Sequence, residues 1–273
     1  MRTILSFVAI CLLLAAPARA QTPGRQTDLV MATVRLSNSK STASGFVLVR
    51  PRAGDEATPQ FILITAAHVL EMSDGEEMTV NYRRKTGEGE YSKAPAPLKI
   101  RSEGKPLWQR HAKQDVAAMA IEPPAGAELP RLTADLLATA DDLRGIEPGD
   151  LVRCVGFPHA TVFEPNQASF PVVRLGCIAS YPLLPVEKEP TFLVDYNTFE
   201  GDSGGPVYWK REDESASFKI LGLVQGQHFF NQRFEFTYES GEFRKQLGLA
   251  IVTQAAAIRE TMESVPQVNR SAP

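Results

Sequence analysis

The segment that most constrains the fold of this chain spans residues 200–207 and reads EGDSGGPV. It places one hydroxyl among three glycines and ahead of a proline, so the backbone has to turn sharply there. Glycine tolerates positive φ and lets other groups approach the backbone closely. Such a backbone can direct the amides of Gly201 and Ser203 at one point, where an oxyanion formed beside the Ser203 hydroxyl would be stabilised. Because a serine alone is a weak nucleophile, this segment predicts a base and a group that orients it elsewhere in the chain.

Two other segments supply candidates for these groups. His68 follows the apolar run FILITAA, which is typical of a buried strand that ends by presenting an imidazole. Asp115 opens a second apolar run, VAAMAI, and a single acid at that position does not belong to a solvated charged surface. His68 is therefore the candidate base, and Asp115 the candidate orienting acid.

The remaining histidines have no matching pattern of a nearby acid and serine. His111, four residues before Asp115, is interpreted as a surface histidine beside Arg110. His159 follows the turn sequence GFP and His228 follows a glycine, and both receive the same structural interpretation.

Three motifs thus follow one another along the chain: TAAH at 65–68, DVA at 115–117 and GDSGGP at 201–206. In this order and at these intervals they resemble the chymotrypsin/trypsin-like serine protease family, whose His, Asp and Ser act as a catalytic triad. The resemblance implies an all-β fold of two antiparallel β-barrels, the first carrying His68 and Asp115 and the second carrying Ser203. It also assigns the oxyanion hole to the amides of Gly201 and Ser203.

Substrate-binding residues follow from the same resemblance. Asn197 lies six positions before Ser203, where the family has the base of the primary specificity pocket. A neutral amide there provides no counter-charge, which disfavours a strict preference for Arg or Lys. Gln225 and Gln227 lie on the strand that usually lines this pocket in the family. Gln227 occupies a position where the family often has glycine, which predicts a shallow pocket. The alternative is that the insertion at residues 228–239 shifts this alignment.

The chain departs from trypsin in one respect. Trypsin-type enzymes begin, after activation, with a free amine that pairs with the acid before the serine, and no such start precedes Leu29. Asp202 occupies that acid position, and its partner is not evident from the sequence. The segments SGFVL at 44–48 and GLAIV at 248–252 look more like the bacterial high-temperature-requirement proteases, here expected without a PDZ module.

Strand-like runs separated by Gly, Pro and Ser indicate a barrel or sandwich. The predicted strands include 29–36, 45–49, 61–65, 78–82, 115–121, 172–180, 191–196, 206–210, 219–225 and 233–237, with an exposed loop at 83–97. We expect a signal peptide at 1–20, an N-terminal barrel at 21–122, a linker at 123–147, a C-terminal barrel at 148–252, and a helix and tail at 253–273. Helical spacing begins at Ala250 and extends to Met262.

The first twenty residues have the features of an export signal. Arg2 is followed by an apolar run over 4–16 and by small residues at 18 and 20, which fit signal-peptidase cleavage before Gln21. The alternative, an uncleaved anchor, is disfavoured because the apolar run is short for a membrane span. The net charge is −3 and there is no basic run, which argues against nucleic-acid binding. A periplasmic or secreted protein with no membrane span after cleavage is expected.

Cys154 and Cys177 remain after such cleavage. Each lies in a predicted strand on the face opposite an arginine, Arg153 or Arg174, so both are predicted to point inward. A disulfide and two buried free thiols are equally compatible with this pattern, because an inward direction does not fix the Cα separation.

The sequence therefore predicts an exported serine endopeptidase that acts on a protein or peptide substrate through an acyl-enzyme. The alternative is a latent or inactive protease-fold protein that serves as a binding or scaffold module. No cofactor is expected, nor is a metal, since the few His and Cys residues do not have zinc-ligand spacing. The substrate and the oligomeric state are not evident.

Overall fold

The structure is a computed structural model that describes residues 25–52, 55–160, 164, 166–210 and 218–267. The predicted signal peptide at 1–20 and the polar hairpin tip predicted at Glu212–Ser217 lie outside these residues. In chain order the elements are α1 (Arg25–Ala32), β1 (Thr33–Ser37), β2 (Thr42–Arg52), β3 (Asp55–Thr65), α2 (Ala67–Glu71), β4 (Glu77–Gly87), β5 (Glu90–Lys99), β6 (Arg101–Ser102), β7 (Lys105–Pro106), β8 (Gln109–Arg110), β9 (Ala117–Ile121), a 3₁₀ helix (Ala134–Leu136), α3 (Ala140–Leu143), β10 (Leu151–Gly156), β11 (Val172–Ile178), β12 (Thr191–Asp195), β13 (Pro206–Lys210), β14 (Phe218–Phe236), β15 (Glu239–Gln254) and α4 (Ala255–Ser264).

The first unit is a seven-stranded antiparallel sheet in the order β5-β4-β1-β2-β3-β9-β8. Its central strand β2 is buried on both faces from residue 43 to residue 49. Val47 packs with the core of the sheet, whereas Phe46 and Leu48 pack in the larger core shared with the second unit. This double burial explains why the central strands read as continuous apolar runs rather than alternating ones.

The second unit is a closed antiparallel barrel in the order β10-β11-β12-β15-β14-β13. Its interior is filled by apolar side chains from each strand, among them Val152, Ile178, Val194, Val207, Ile220 and Val252. Helix α4 packs Ile258 and Met262 into the same core. A closed barrel, a second β unit and a short C-terminal helix confirm the all-β double-barrel class.

The connection between the two units is bound to both of them. Val49 N, on β2, donates to Leu132 O at 2.7 Å, and Ala138 N donates to Ile220 O, on β14, at 2.9 Å. Thr139 then caps α3 in a reciprocal capping box with Asp142. The connection therefore fixes the position of one unit against the other.

Two predictions for the first half of the chain have to be corrected, the first of them over residues 29–32 alone. The strand predicted over 29–36 is in fact helix α1 followed by the short β1, with Leu29 fully buried. The loop predicted over 83–97 is the β4–β5 hairpin. The charged residues of this segment had indicated a solvated loop. Arg83, however, is only 1 % exposed, and its guanidinium donates to the carbonyls of Met31, Thr33 and Ser169.

The C-terminal strands are longer than predicted. The segments 219–225 and 233–236 belong to one strand, β14, which pairs with β15 as far as Phe236 and Glu239. The distal part of this hairpin exposes Phe236 and Tyr238. Helix α4 begins at Ala255 rather than at Ala250, because the preceding residues of β15 pair with β12.

Among the described residues, no helix has the length and apolar character needed to cross a membrane.

Candidate active site

The ends of two paired strands bring His68 and Asp115 together. Thr65, the last residue of β3, pairs with Ala117, the first residue of β9, so the residues just beyond each end are neighbours. His68 Nδ1 lies 2.6 Å from Asp115 Oδ2, and the His68 backbone N–H donates to Asp115 Oδ1 at 2.9 Å. Both carboxylate oxygens therefore hold the imidazole and the start of α2 in one orientation.

The charge state of Asp115 suits this contact. Burial opposes ionisation of its carboxyl, but the hydrogen bonds and charge of His68 outweigh this effect and lower the pKa of Asp115 below its usual value. The carboxylate thus stays ionised at neutral pH and can accept from Nδ1–H, which leaves Nε2 as the basic nitrogen.

Ser203 lies in the turn that precedes β13, directly beside the His68 segment. Its carbonyl accepts a 2.9 Å hydrogen bond from Ser44 N on β2. The next residue, Gly204, packs against Thr65 and Ala66, just ahead of His68: a Cβ built there would lie 3.0 Å from Ala66 N. The fold thus places the three predicted triad residues at one junction between the two units. No hydrogen bond between the Ser203 hydroxyl and His68 is found among the described residues.

The backbone of the loop at 200–203 is fixed by its carbonyl groups, each of which accepts a hydrogen bond. The donors, taken from residue 200 to residue 203, are His159 N (2.7 Å), Ser44 Oγ (2.6 Å), Gly205 N (2.9 Å) and Ser44 N (2.9 Å). In a trans peptide the N–H points opposite to the carbonyl of the same plane. The Gly201 and Ser203 amides therefore point away from His159 and Gly205, and neither donates to a described residue.

Two glycines of this loop are required by space as well as by conformation. Gly201 has φ 100° and Gly204 has φ 85°. A Cβ on Gly201 would lie 2.0 Å from Phe157 O, and one on Gly204 would lie 2.2 Å from both Ser44 O and Thr65 Oγ1. Gly204 thus allows the second unit to lie directly against the first, whereas Gly201 allows the loop to lie against Phe157 within the second unit.

The acid before the serine has its partner on β11. Asp202 is 1 % exposed; its Oδ1 accepts from Arg174 Nη2, and its Oδ2 accepts from Phe199 N at 2.7 Å. Burial raises the pKa of Asp202, while the charge of Arg174 opposes that rise. Arg174 was predicted to point outward, and the structure corrects this: positions 173 and 175 are exposed, whereas Arg174 points inward.

The same reversal corrects the interpretation of the cysteines. Cys154 is fully buried as predicted, but Cys177 lies on the opposite, partly exposed face of β11. In the barrel Cys154 pairs with Arg174, and Cys177 pairs with Leu151. Both cysteines are free, so the disulfide, which was one of the two alternatives, is not formed.

Of the three predicted substrate-binding residues, Asn197 lies just before the 200–203 loop, and Gln225 and Gln227 lie on β14. Asn197 is exposed, and its carbonyl accepts from Arg174 Nη1 at 3.0 Å. Gln225 accepts at Oε1 from Thr253 at 3.1 Å, whereas Gln227 Oε1 is buried without a partner among the described residues. Val224, next to Gln225 on β14, exchanges backbone hydrogen bonds with Gly204 and Gly205 at 2.8 and 2.9 Å. The strand with both glutamines is therefore bound to the Ser203 loop.

Two of the other histidines, His111 and His159, have structural partners, whereas His228 is exposed. His111 is partly buried rather than fully exposed: its side chain is 12 % exposed, contacts Glu260 Oε2 at 3.0 Å, and accepts at Nδ1 from the amides of Lys113 and Gln114. His159 stacks on Phe199 at a ring-centroid distance of 5.0 Å. The described residues include no cluster of three or more His, Cys, Asp or Glu side chains suited to a metal ion.

Sequence reasoning missed two residues that shape this site, Ser44 and Arg174. Ser44 is one of many small polar residues, and its three contacts to the 200–203 loop and Phe157 span more than 100 positions. Arg174 had the strand pattern of an outward-facing charge. The one available signal was Asp202 itself, an acid in a glycine-rich turn that has to have a counter-charge if it is buried.

Comparison with known proteins identifies the family. No curated protein matches the chain. Two solved structures, each 17% identical, align with a TM-score of 0.47: Rv3671c from M. tuberculosis H37Rv, an inactive serine-to-alanine mutant, and the Rv3671c protease in an inactive form. The alignments cover 92% and 88% of this chain and 93% and 91% of those chains. The Trypsin family matches residues 25–233, which is most of the sequence. The chain belongs to the Trypsin family.

Proposed function

We propose that this protein is a serine endopeptidase that hydrolyses peptide bonds through Ser203, His68 and Asp115. The observation that carries the proposal is the 2.6 Å contact between His68 Nδ1 and Asp115 Oδ2, at the junction where the Ser203 loop meets the first sheet. A base held in this orientation is what a serine nucleophile requires.

The proposed reaction is acyl transfer. Ser203 Oγ attacks the substrate carbonyl while His68 Nε2 takes its proton, and Asp115 stabilises the imidazolium that forms. The amides of Gly201 and Ser203 donate to the oxyanion. His68 then returns the proton to the leaving amine, and water, activated by the same imidazole, releases the acid product from the ester of Ser203.

The substrate would bind along β14. An extended peptide can pair with a strand edge, and Gln225 and Gln227 lie on the strand whose neighbour Val224 binds the Ser203 loop. The buried, unpartnered Oε1 of Gln227 favours a substrate side chain that carries a hydrogen-bond donor. Neither Asn197 nor the two glutamines provides a negative charge, which disfavours a strict preference for Arg or Lys.

Two finer features belong to the same proposal. One is that the protein is nearer to the bacterial high-temperature-requirement proteases than to trypsin, which the resemblance of the segments at 44–48 and 248–252 supports. The apolar N-terminal run with small residues at 18 and 20 supports export, with a mature chain that begins at Gln21.

Labelling by a fluorophosphonate probe would test the proposal. The protein beginning at Gln21 is expected to be labelled, whereas the Ser203→Ala variant is not, and a peptide library should be cleaved only by the labelled protein. Ser180→Ala is a matched control, because Ser180 Oγ accepts from Leu193 N on β12, away from the 200–203 loop.

A well-folded protein that neither reacts with the probe nor cleaves peptides would contradict the proposal. It would favour the latent or scaffold alternative, which the missing Ser203–His68 hydrogen bond would then help to explain. Labelling of Ser203→Ala at the wild-type level would show that the nucleophile is a different residue.

A further inference from the structure

The carboxylate of Asp202 is the most deeply buried negative charge of the site. It stands between Gly201 and Ser203, the residues whose amides form the proposed oxyanion hole. A buried carboxylate without a partner is strongly destabilising. The position of this side chain therefore decides whether the loop around it keeps its shape.

Arg174 is the only side-chain cation within ion-pair distance of Asp202 among the described residues. Its guanidinium also donates to the Tyr196 hydroxyl and, at 3.0 Å, to Asn197 O. It lies 4.5 Å from the centre of the Tyr196 ring and 5.4 Å from that of Phe199. These contacts join β11, the end of β12 and the segment before Ser203 around one charge.

The fork geometry of arginine suits this position. A guanidinium can donate in several directions in one plane while it stacks on aromatic rings, whereas a lysine ammonium is a compact point charge. The other carboxylate oxygen of Asp202 is already used by Phe199 N at 2.7 Å. Both oxygens of Asp202 are thus held by groups of the second unit itself.

We propose that Arg174 is the positioning residue that holds Asp202, and through it the oxyanion loop, so that the site is formed without a freed N-terminal amine. This inference rests on the proposed peptidase function. It answers the question that the sequence leaves open, namely which group pairs with the acid before Ser203. The protease would then need no activating cleavage to order residues 200–203.

The first experiment compares Arg174→Met, Arg174→Lys and the matched control Arg153→Met. Arg153 lies on the neighbouring strand β10 and belongs to its partly exposed face, away from Asp202. Arg174→Met is expected to lower kcat by about 10²–10³-fold, as for the loss of an oxyanion donor, while KM for a short peptide changes by less than about threefold. Arg174→Lys should recover part of kcat, and Arg153→Met should behave as wild type.

A double variant separates positioning from general destabilisation. If Arg174 acts through Asp202, then Arg174→Met combined with Asp202→Asn should be no slower than the slower single variant. Additive losses, or an Arg174→Met variant with wild-type kcat, would overturn the proposal. Equal losses in kcat for Arg153→Met and Arg174→Met would also overturn it.

Hydrogen exchange provides a readout that does not depend on turnover. Peptides covering residues 197–206 should exchange faster in Arg174→Met than in wild type and in Arg153→Met. If the wild-type protein has no peptidase activity, the proposed function fails but this measurement still decides the role of Arg174. Unchanged exchange in that segment would show that Arg174 does not hold the loop.

The claim about the N-terminus has its own test. A protein with extra residues ahead of Gln21 should have the same kcat as one that begins at Gln21, because the counter-charge of Asp202 is internal. An inactive extended protein that becomes active on removal of the extension would refute the inference.

Discussion

The hydroxyl of Ser44, on the central strand of the first sheet, donates a 2.6 Å hydrogen bond to the carbonyl of Gly201 in the loop of the second unit. The same hydroxyl accepts from Phe157 N at 3.0 Å, and the Ser44 amide donates to Ser203 O. One fully buried residue of the first unit thus fixes two carbonyls of the loop that carries the proposed nucleophile. The site is therefore a product of how the two units dock.

Removal of this hydroxyl should impair catalysis more than binding. Ser44→Ala leaves Gly201 O and Phe157 N without their partner, so we expect the free energy of unfolding to fall by about 1–3 kcal/mol. The 201–202 peptide then keeps only the hydrogen bond from Asp202 N to Phe199 O at 3.1 Å, so the loop that carries the Gly201 amide is held less firmly. We therefore expect kcat to fall by about 10–100-fold with little change in KM, which is less than the loss expected when an oxyanion donor itself is removed. Steady-state kinetics and urea unfolding would measure both effects.

Ser41→Ala is the matched control for this variant. Ser41 is an exposed serine three residues earlier, whose hydroxyl donates, among the described residues, only to Asn38 Oδ1. It should leave kcat and stability within error of wild type. A Ser44→Ala protein with unchanged kcat would show that the loop holds its conformation without this bond.

Gly204 provides a test of the close approach between the two units. Alanine at this position would suffer both the positive φ and an overlap with Ser44 O and Thr65 Oγ1 at 2.2 Å. Positive φ alone costs a non-glycine residue about 1–2 kcal/mol. We expect Gly204→Ala to lose more than about 4 kcal/mol, or to fail to fold, as monitored by thermal unfolding with circular dichroism.

Gly75→Ala separates these two contributions. Gly75 also has positive φ, 80°, but a Cβ added to it would have no neighbour within 4 Å. This variant should lose only about 1–2 kcal/mol. Similar losses for both glycines would mean that the loop at 200–205 can move away from the first unit.

The sequence was sufficient for the parts of the site that are encoded locally. His68 and Asp115 each adjoin a buried apolar strand, and the glycines around Ser203 indicate a tight turn, so each segment could be recognised by itself. Strand pairing then brings them together, because Thr65 and Ala117 are the paired ends of β3 and β9. The all-β class followed from the same short apolar runs.

What could not be predicted depends on partners far away along the chain. Alternation on β11 does not reveal which face is inward, and Arg174 is inward only because Asp202, 28 positions later, needs a counter-charge. Arg83 was similarly predicted to lie in a solvated loop. Its hydrogen-bond acceptors are backbone carbonyls, and because every residue has one, the sequence does not indicate which carbonyls Arg83 contacts. The periodicity of apolar residues predicts which face of a strand is buried by hydrophobic side chains, but it does not predict a buried ion pair.

The contact between Asp115 and His68 should make stability depend on pH. The pKa of Asp115 is lowered in the folded protein, so its contribution is present above the pKa of an unfolded Asp, about 3.9, and is lost as the pH falls through the lower folded value. Asp115→Asn should therefore cost about 1.5–3 kcal/mol at pH 6 and less at pH 3, which lies below the pKa of an unfolded Asp. Urea unfolding at both pH values would measure the difference.

The exposed acid Glu88 provides the control for that experiment, since Glu88→Gln should change stability by less than about 0.5 kcal/mol. The kinetic counterpart is a fall in kcat of about 10³–10⁴-fold for Asp115→Asn, because the amide no longer selects the tautomer with a basic Nε2. An Asp115→Asn protein as stable and as active as wild type would disprove the orienting role.

The two cysteines should differ in reactivity although they lie on adjacent strands. Burial, and next the charge of Asp202, raises the pKa of Cys154, so its thiol is neither accessible nor ionised at pH 8, whereas Cys177 is partly exposed. In the protein that begins at Gln21, Ellman's reagent should therefore titrate one thiol in the native state and two in denaturant. Cys177→Ser should abolish the native reaction, while Cys154→Ser should retain it. No reactive thiol in denaturant without a reductant would mean that the cysteines are paired after all, which would require the β10–β11 register to differ from the one in which Cys154 faces Arg174.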